Sequence, residues 1–431
     1  MNIEFLKDVV ADQQEEMAKL LKGRKIIERE MTARYSGFVG KGIATVVMGV
    51  RRSGKSVFSH QLLGNREYQY VNFDDERLRR IKAEELNDVL KAFYELYGTV
   101  DFVLLDEVQN VDGWELFVNR LLRNGINVLA TGSNSKLLSK ELSTHLTGRY
   151  IQIELFPFSY REFLRYDDIE ASEREFHITE KVSMIKRKLE EYIKIGGFPE
   201  VAKERDMHRE YLSTLYHAIL SKDVVTRYNI RLSEKFKDLS NYLISNPAEL
   251  ISFNRLKSLF DLKSTHTAMK YVSYLKEAYL IFPLDGFSFK SHEVIRSQKK
   301  IYPIDTGLVN AIGGPRGEKK GRLMECAVAI ELLRRKAPDT GLYYWRDYQQ
   351  HEVDFVVRKG ADTDVLIQVC YDVEDKETRK REVQGLLKAN KEIGGKMLVI
   401  TWDFEGKEII ENREIKYVPL YKWLIKWGQT P

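Results

Sequence analysis

Gly49-Val50-Arg51-Arg52-Ser53-Gly54-Lys55-Ser56 closes the β-branched run Ile43–Val50 and opens a helical stretch that begins with Val57. It satisfies the pattern G-x-x-x-x-G-K-[ST] at every position, in the strand-then-helix context that the pattern requires. A glycine-rich turn lets backbone N–H groups close around phosphate oxygens, and the helix behind it adds the positive end of its dipole. Gly49, Arg51, Arg52, Ser53, Gly54, Lys55, Ser56 and Val57 are therefore candidate nucleotide contacts. Lys55 is expected at the β- and γ-phosphates and Ser56 at Mg²⁺. Arg51 and Arg52 are unusual inside such a loop.

Working outward, short apolar runs alternate with helical stretches at Gln69–Phe73, Asp101–Leu105, Asn127–Thr131 and Tyr150–Leu155. This alternation predicts βαβ units and a parallel sheet covered by helices on both faces. Asp101-Phe102-Val103-Leu104-Leu105-Asp106-Glu107 is an apolar strand ending in two acids about 50 residues beyond the loop. Asp106 is the candidate Mg²⁺ ligand, and Glu107 the candidate for polarising an attacking water. Val128–Thr131 runs into Gly132-Ser133-Asn134, where Ser133 or, by preference, Asn134 would orient that water. Arg149, just before the next strand, would meet a γ-phosphate in cis or reach that of a neighbouring subunit. Met1–Tyr35 reads as helix.

The chain has 431 residues, enough for two to four domains. Apolar residues make up 43% and charged residues 31%, with net charge +5. That mild excess permits a nucleic-acid partner without arguing for one. Two cysteines, Cys326 and Cys370, exclude a disulfide scaffold and a cysteine-based metal centre. No apolar run reaches the length of a membrane span, and the expected location is the cytoplasm. Three domains are expected: 1–165 with the nucleotide site, 166–300 helical, and 301–431 where short strands return.

Together, Gly49–Ser56, Leu104-Leu105-Asp106-Glu107-Val108-Gln109, Ala130–Ser135, Leu146–Arg149 and Phe156-Pro157-Phe158-Ser159-Tyr160-Arg161-Glu162-Phe163 resemble prokaryotic AAA-family P-loop ATPases fused to a C-terminal domain of unknown function. The resemblance extends over Gly196-Gly197-Phe198-Pro199, Tyr302-Pro303-Ile304-Asp305-Thr306-Gly307-Leu308 and Glu352-Val353-Asp354-Phe355. It implies an α/β fold: an additional-strand P-loop sheet, then a winged helix-turn-helix, then an α/β domain like the PD-(D/E)xK restriction endonucleases.

In the middle region, Glu234–Ser245, Phe253–Phe260 and Thr265–Ala278 read as three helices, with Ser252 as a cap. A strand begins at Ala278–Phe282, with Phe287-Ser288-Phe289 as its expected partner. Ser264, Thr265, His266, Thr267, Lys270 and Tyr271 are the candidate duplex-DNA contacts. Residues 231–300 carry twelve basic and seven acidic side chains, the whole formal excess of the chain.

In the C-terminal region, Glu325 on a predicted helix and Asp354 on a strand fit the acids of a nuclease. The next strand should carry Glu-x-Lys but reads Gln368-Val369-Cys370. Gln368 loses a charge and Cys370 replaces the ammonium, so the catalytic set is incomplete. A domain that keeps the shape for packing or partner binding is the alternative. The expected activity is Mg²⁺-dependent ATP hydrolysis coupled to the winged helix, in a homo-oligomer. The alternatives are a nucleotide-gated DNA- or protein-binding switch and an ATP-licensed nuclease.

Overall fold

Five apolar runs of the N-terminal third form strands β1 (Ala44–Met48), β2 (Gln69–Asn72), β3 (Phe102–Asp106), β4 (Asn127–Gly132) and β5 (Tyr150–Glu154). In the computed structural model, which describes residues 1–23, 25–133, 146, 148–230, 234–313 and 320–426, they make one sheet in the order β2-β3-β4-β1-β5. All four pairings are parallel. β4 is inserted between the strand that feeds the glycine loop and the strand that ends in two acids. The C-terminal ends of β1, β3 and β4 thus lie side by side, which brings residues 49–56, 106–107 and 131–133 together. Val47, Phe58, Leu62, Leu104, Leu129 and Ile153 fill the core against one face.

The N-terminal helix is shorter than its periodicity suggests. It spans Ile3–Lys22 and stops at Gly23; a second helix, Met31–Tyr35, follows. The first helix buries Leu6, Val9, Val10 and Met17. Its glutamines close the open edge of β2. Gln13 donates to Asn72 O (3.1 Å) and accepts from Asn72 N (2.9 Å). Gln14 accepts from Tyr70 N (3.1 Å) and donates to Tyr68 O (3.3 Å). Side-chain amides here satisfy the row of backbone groups that an edge strand leaves unpaired.

The chain divides into two compact units, 1–158 with 277–279, and 159–276 with 280–431. The second unit opens with helix Tyr160–Tyr166, fixed by a capping box in which Ser159 and Glu162 bond each other's backbone N–H. Arg161 on that helix donates to the carbonyls of Leu424 and Ile425 at 2.9 and 3.1 Å, tying down the C-terminal helix Leu420–Ile425. Two motifs interlock further on. Gly197 N and Leu308 N donate to the buried Asp305 carboxylate at 2.7 and 3.2 Å. A Cβ on Gly196 would stand 2.0 Å from Asp305 Oδ1, and one on Gly307 would stand 2.1 Å from Ile195 O, so only glycine fits at either place.

The middle of this unit runs helix Glu234–Ser245, β6 (Glu249–Ile251), helix Phe253–Leu259, helix Thr265–Glu277, β7 (Ile281–Asp285), then β8 (Lys299–Pro303). β8 pairs antiparallel with both β6 and β7. The partner of the strand at 281 is therefore Lys299–Pro303, not Phe287-Ser288-Phe289. Phe287 instead donates its N–H to Tyr344 O (2.6 Å) and packs its ring against Tyr343. The short helix Ser291–Arg296 separates it from β8.

The C-terminal part follows helix Lys320–Arg335 with β9 (Thr340–Arg346), β10 (Glu352–Lys359) and β11 (Asp362–Cys370), an antiparallel meander. Helix Lys376–Ile393 crosses to β12 (Lys396–Thr401), parallel to β11, and β13 (Gly406–Ile410) and β14 (Arg413–Pro419) complete six strands in the order β13-β14-β12-β11-β10-β9. β13 and β14 had no counterpart in the sequence reading: charges such as Lys407, Glu408, Glu414 and Lys416 break their apolar runs. Among the described residues no helix is long and apolar enough to cross a membrane.

Candidate functional site

Asp106, at the end of β3, has its carboxylate buried beneath the glycine loop. It accepts from Ser56 Oγ (2.6 Å), from Tyr70 Oη (3.0 Å) and, by a short bond, from Thr131 Oγ1. Burial, then the neighbouring Glu107 charge, pushes its proton affinity up, while the Ser56 and Thr131 hydroxyls pull it down. Asp106, Ser56 and Thr131 thus form one buried polar knot joining β3, β4 and the start of helix Lys55–Leu63.

Glu107 takes a left-handed backbone conformation, φ +52°, which a non-glycine residue adopts at a cost usually tolerated where function demands it. Its N–H donates to Thr131 Oγ1 at 3.1 Å. Oε1 lies 3.2 Å from Lys55 Nζ and Oε2 accepts from Gln109 Nε2 at 2.5 Å. Burial raises the Glu107 carboxyl, but the Lys55 ammonium and the Arg51 guanidinium outweigh it and hold it at about 2. Gln109 also donates to Ser133 Oγ at 3.3 Å, so the polar tip of β4 reaches Glu107 through one side chain. Lys55 Nζ lies 3.4 Å from the carbonyl oxygens of both Gly49 and Val50.

The loop fits a bound polyphosphate. A Cβ on Gly49 would stand 2.2 Å from Leu155 O, so this turn admits glycine alone. Arg52 (φ +68°) and Gly54 (φ +92°) are left-handed, the alternation that turns successive N–H groups to one side. Helix Lys55–Leu63 has no side-chain cap at its N-terminus. Ser53 Oγ is buried with no hydrogen-bond partner among the described residues. Ser56 Oγ and Asp106 supply the hard oxygen donors that Mg²⁺ takes.

The structure gathers Gly49, Ser53, Gly54, Lys55, Ser56, Asp106, Glu107 and Ser133 at one place. Arg51 pairs with Asp74 at 3.0 Å, Arg52 is exposed, and Val57 is half-buried in the first helical turn. Asn134 lies outside the described residues. Arg149 is not with the group. Its carbonyl accepts from Ala44 N (2.9 Å), level with the start of β1, at the end of the sheet opposite the loop. At about 3.3 Å per residue along β1, the length of that strand separates it from the glycine loop.

Four residues of this site were not foreseen: Tyr70, Thr131, Gln109 and Arg29. Arg29 is buried, donating to Ser53 O (2.9 Å) and to Phe156 O (2.6 Å) with its guanidinium over the Phe158 ring. Its N–H donates to Gln61 Oε1 at 3.1 Å. It therefore braces the glycine loop from behind. The available signal was an arginine just where the N-terminal helical pattern loses its apolar period.

In the second unit, Glu325, Asp354 and Gln368 also converge, and the ammonium missing at Cys370 comes from elsewhere. Lys300 on β8 places Nζ 2.9 Å from Glu325 Oε1, 2.5 Å from Glu352 Oε1 and 2.8 Å from Asp354 Oδ1. Tyr302 donates to Glu325 Oε1 at 2.7 Å. Asp354 Oδ2 accepts from Val369 N (2.9 Å), Asp354 N donates to Gln368 Oε1 (3.2 Å), and Gln368 Nε2 donates to Glu382 by a short bond. Burial and the Asp354 charge push Glu325 up to about 7. Cys370 points its thiol at Asp372 O (3.3 Å), and burial pushes it up to about 12. The sequence signal for Lys300 was its alternation with Tyr302 along the strand Lys299–Pro303, which puts both on one face. Among the described residues no group of three His, Cys, Asp or Glu side chains is arranged to hold a metal ion.

Of the candidate DNA contacts, Ser264 Oγ accepts from Thr267 N at 3.1 Å and bonds Thr267 Oγ1 at 3.1 Å, so both hydroxyls serve to start helix Thr265–Glu277. His266 and Lys270 are exposed on that helix, and Thr265 and Tyr271 are half-buried.

A parallel sheet of this order, with this loop and two acids at the tip of β3, defines an AAA-type P-loop ATPase domain, and a family model described as an AAA domain matches residues 41–164. Models of two domains of unknown function, DUF8612 and DUF4143, match residues 186–319 and 320–423. The chain belongs to one family with an uncharacterized protein of Methanocaldococcus jannaschii, 35% identical over 398 residues that cover 89% of this chain and 88% of the relative. An uncharacterized protein of Haemophilus influenzae is 28% identical over 397 residues, 88% of this chain and 94% of that one. The Walker-type ATPase paby2304 of Pyrococcus abyssi aligns over 67% of this chain and 96% of its own, with 15% identity and a TM-score of 0.43. A STAND ATPase with a tetratricopeptide repeat sensor from Pyrococcus horikoshii aligns over 73% of this chain and 46% of its own, with 17% identity and a TM-score of 0.24.

Proposed function

We propose that this protein hydrolyses ATP with Mg²⁺ at the Lys55–Ser56–Asp106–Glu107 cluster and couples its nucleotide state to a winged-helix module within residues 166–300. The observation that carries the reading is the ion pair between Lys55 and Glu107 (3.2 Å) beside the Ser56–Asp106 bond (2.6 Å). Lys55 binds the β- and γ-phosphates. Ser56 and Asp106 hold Mg²⁺, which when bound neutralises charge on the phosphate oxygens. A γ-phosphate competes with Glu107 for the Lys55 ammonium, and Glu107 is then free to orient a water and take its proton. Ser133, through Gln109, or Asn134 positions that water. Arg149, at the far end of the sheet from its own loop, acts only across a subunit boundary, which calls for a homo-oligomer. A mixture of Arg149→Ala and Lys55→Ala proteins then regains activity that neither has alone.

The helix–strand–helix–helix–strand–strand order of residues 234–303, with β8 central, supports the winged-helix reading. His266 and Lys270 are its exposed candidates for contact with duplex DNA. Steady-state hydrolysis measured with and without duplex DNA tests the coupling. Stimulation that disappears at high salt supports it, and a rate indifferent to DNA turns the search toward a protein partner.

A second reading is a nucleotide-gated switch with little turnover. It is favoured by the double hold on Glu107, whose two oxygens are taken by Lys55 and Gln109. Glu107→Gln separates the two: full cellular function in that variant fits the switch alone. For residues 301–431 the succession of helix, antiparallel meander, helix and parallel strand supports a nuclease-like fold whose cleavage set has been altered at Gln368 and Cys370.

A further inference from the structure

The second unit contains a buried charge cluster that the ATPase reading does not use. Lys300 is almost fully buried, and the three hydrogens of its ammonium are matched by three carboxylates, those of Glu325, Glu352 and Asp354, at 2.5–2.9 Å. These acids come from two separate elements: helix Lys320–Arg335 and the β10 positions two apart that share a face. Tyr302 and Val369 N bond the same carboxylates from outside the ring, and Glu382, through Gln368, stands behind it. Arg346 stands 3.8 Å from the second oxygen of Glu352, on the far side of that carboxylate from Lys300. The Glu325, Glu352 and Asp354 carboxylates thus gather around one ammonium, with the Tyr302 hydroxyl on the first of them. That differs from an ordinary buried ion pair, in which one acid meets one base.

We propose that the Lys300 ammonium occupies the cation position of a carboxylate site, so that the C-terminal half carries a built-in monovalent cation where its ligand set would otherwise take a divalent one. The consequence is that the wild-type domain folds without metal and cleaves no phosphodiester, and that removal of the ammonium exposes a divalent-ion site. Oxygen ligands from three carboxylates are the donor type that Mg²⁺ or Mn²⁺ takes once the ammonium is gone. This inference is independent of the nucleotide site and survives if the ATPase reading fails.

The experiment uses the full chain and Mn²⁺ as the probe. Lys300→Ala removes the ammonium shared by the Glu325, Glu352 and buried Asp354 carboxylates, so its melting temperature falls. Millimolar Mn²⁺ is expected to restore on the order of 5 °C of that loss in the variant and to leave the wild-type transition unmoved. Lys55→Ala in both backgrounds removes any response from the nucleotide site. Adding Asp354→Asn to Lys300→Ala is expected to abolish the restoration. If Lys300→Ala cannot be isolated, Lys300→Gln keeps the length of the side chain without its charge and serves in its place. Electron paramagnetic resonance of Mn²⁺ with the Lys55→Ala protein is a readout that needs no Lys300 variant. There the proposal expects unbound Mn²⁺. Tight Mn²⁺ binding that is lost on Asp354→Asn, or nicking of supercoiled plasmid by that protein with Mn²⁺, overturns it. So does a Lys300 variant that folds but gains no affinity for Mn²⁺.

Discussion

Replacing Arg29 with Met tests whether the glycine loop is held from behind. The guanidinium is buried, and two of its nitrogens donate to carbonyl oxygens separated by more than 100 residues, Ser53 O at 2.9 Å and Phe156 O at 2.6 Å. Met keeps most of the apolar stem over Phe158 but leaves both carbonyls without this donor. A buried polar group deprived of its partner costs about 1–3 kcal/mol, so the variant should lose about 2–5 kcal/mol from the stability of the first unit. Lys would fare little better, because an ammonium cannot reproduce a planar fork spanning two acceptors. The Ser53 carbonyl belongs to the phosphate loop itself, so the loss should also reach function: about 10–100-fold in kcat/KM, the scale of a misplaced loop. The assay is thermal unfolding, following the transition that MgADP raises, together with ATP turnover. A melting temperature within a degree of wild type and an unchanged kcat/KM would refute the bracing role.

Tyr70→Phe removes one hydroxyl from the Asp106 carboxylate (3.0 Å) with no change of shape, and should lower the stability of the same transition by about 1.5–3 kcal/mol. Glu107→Gln breaks the ion pair with Lys55 (3.2 Å); nucleotide binding measured by calorimetry should be kept or tightened while turnover falls at least ~100-fold. Asp305 gives a pH signature. Burial raises its carboxyl to about 6 against the donors Gly197, Leu308 and Gly307. A folded value above the unfolded one means that this contribution is full below about pH 4 and is lost as pH rises through 6, on the order of 3 kcal/mol. Urea midpoints of Asp305→Asn between pH 4 and pH 7 should therefore show a flatter dependence than wild type, and equal slopes would contradict the assignment.

The nucleotide site was legible because its chemistry is local. A phosphate loop needs its glycines and lysine within eight residues, and the five strands that carry it are apolar runs with clear ends. What escaped the sequence was every contact made across the chain. Tyr70 and Thr131 reach Asp106 from neighbouring strands, and neither a tyrosine nor a threonine in a strand announces a polar target. Arg29 meets the loop through a break in what reads as one helix. Lys300 restores positive charge near Glu325 and Asp354 from a strand 70 residues before the expected place at Cys370, and only the fold brings them together. Arg149 was placed by its position in sequence; strand direction puts it at the wrong end of its own sheet.

The central claim is tested most directly by the steady-state release of phosphate from MgATP by the full chain and by its Lys55→Ala variant, each checked for folding. The account expects turnover by the wild type that needs Mg²⁺ and falls at least ~100-fold in the variant. Equal rates in the two proteins, or none in either while nucleotide is bound, would contradict it.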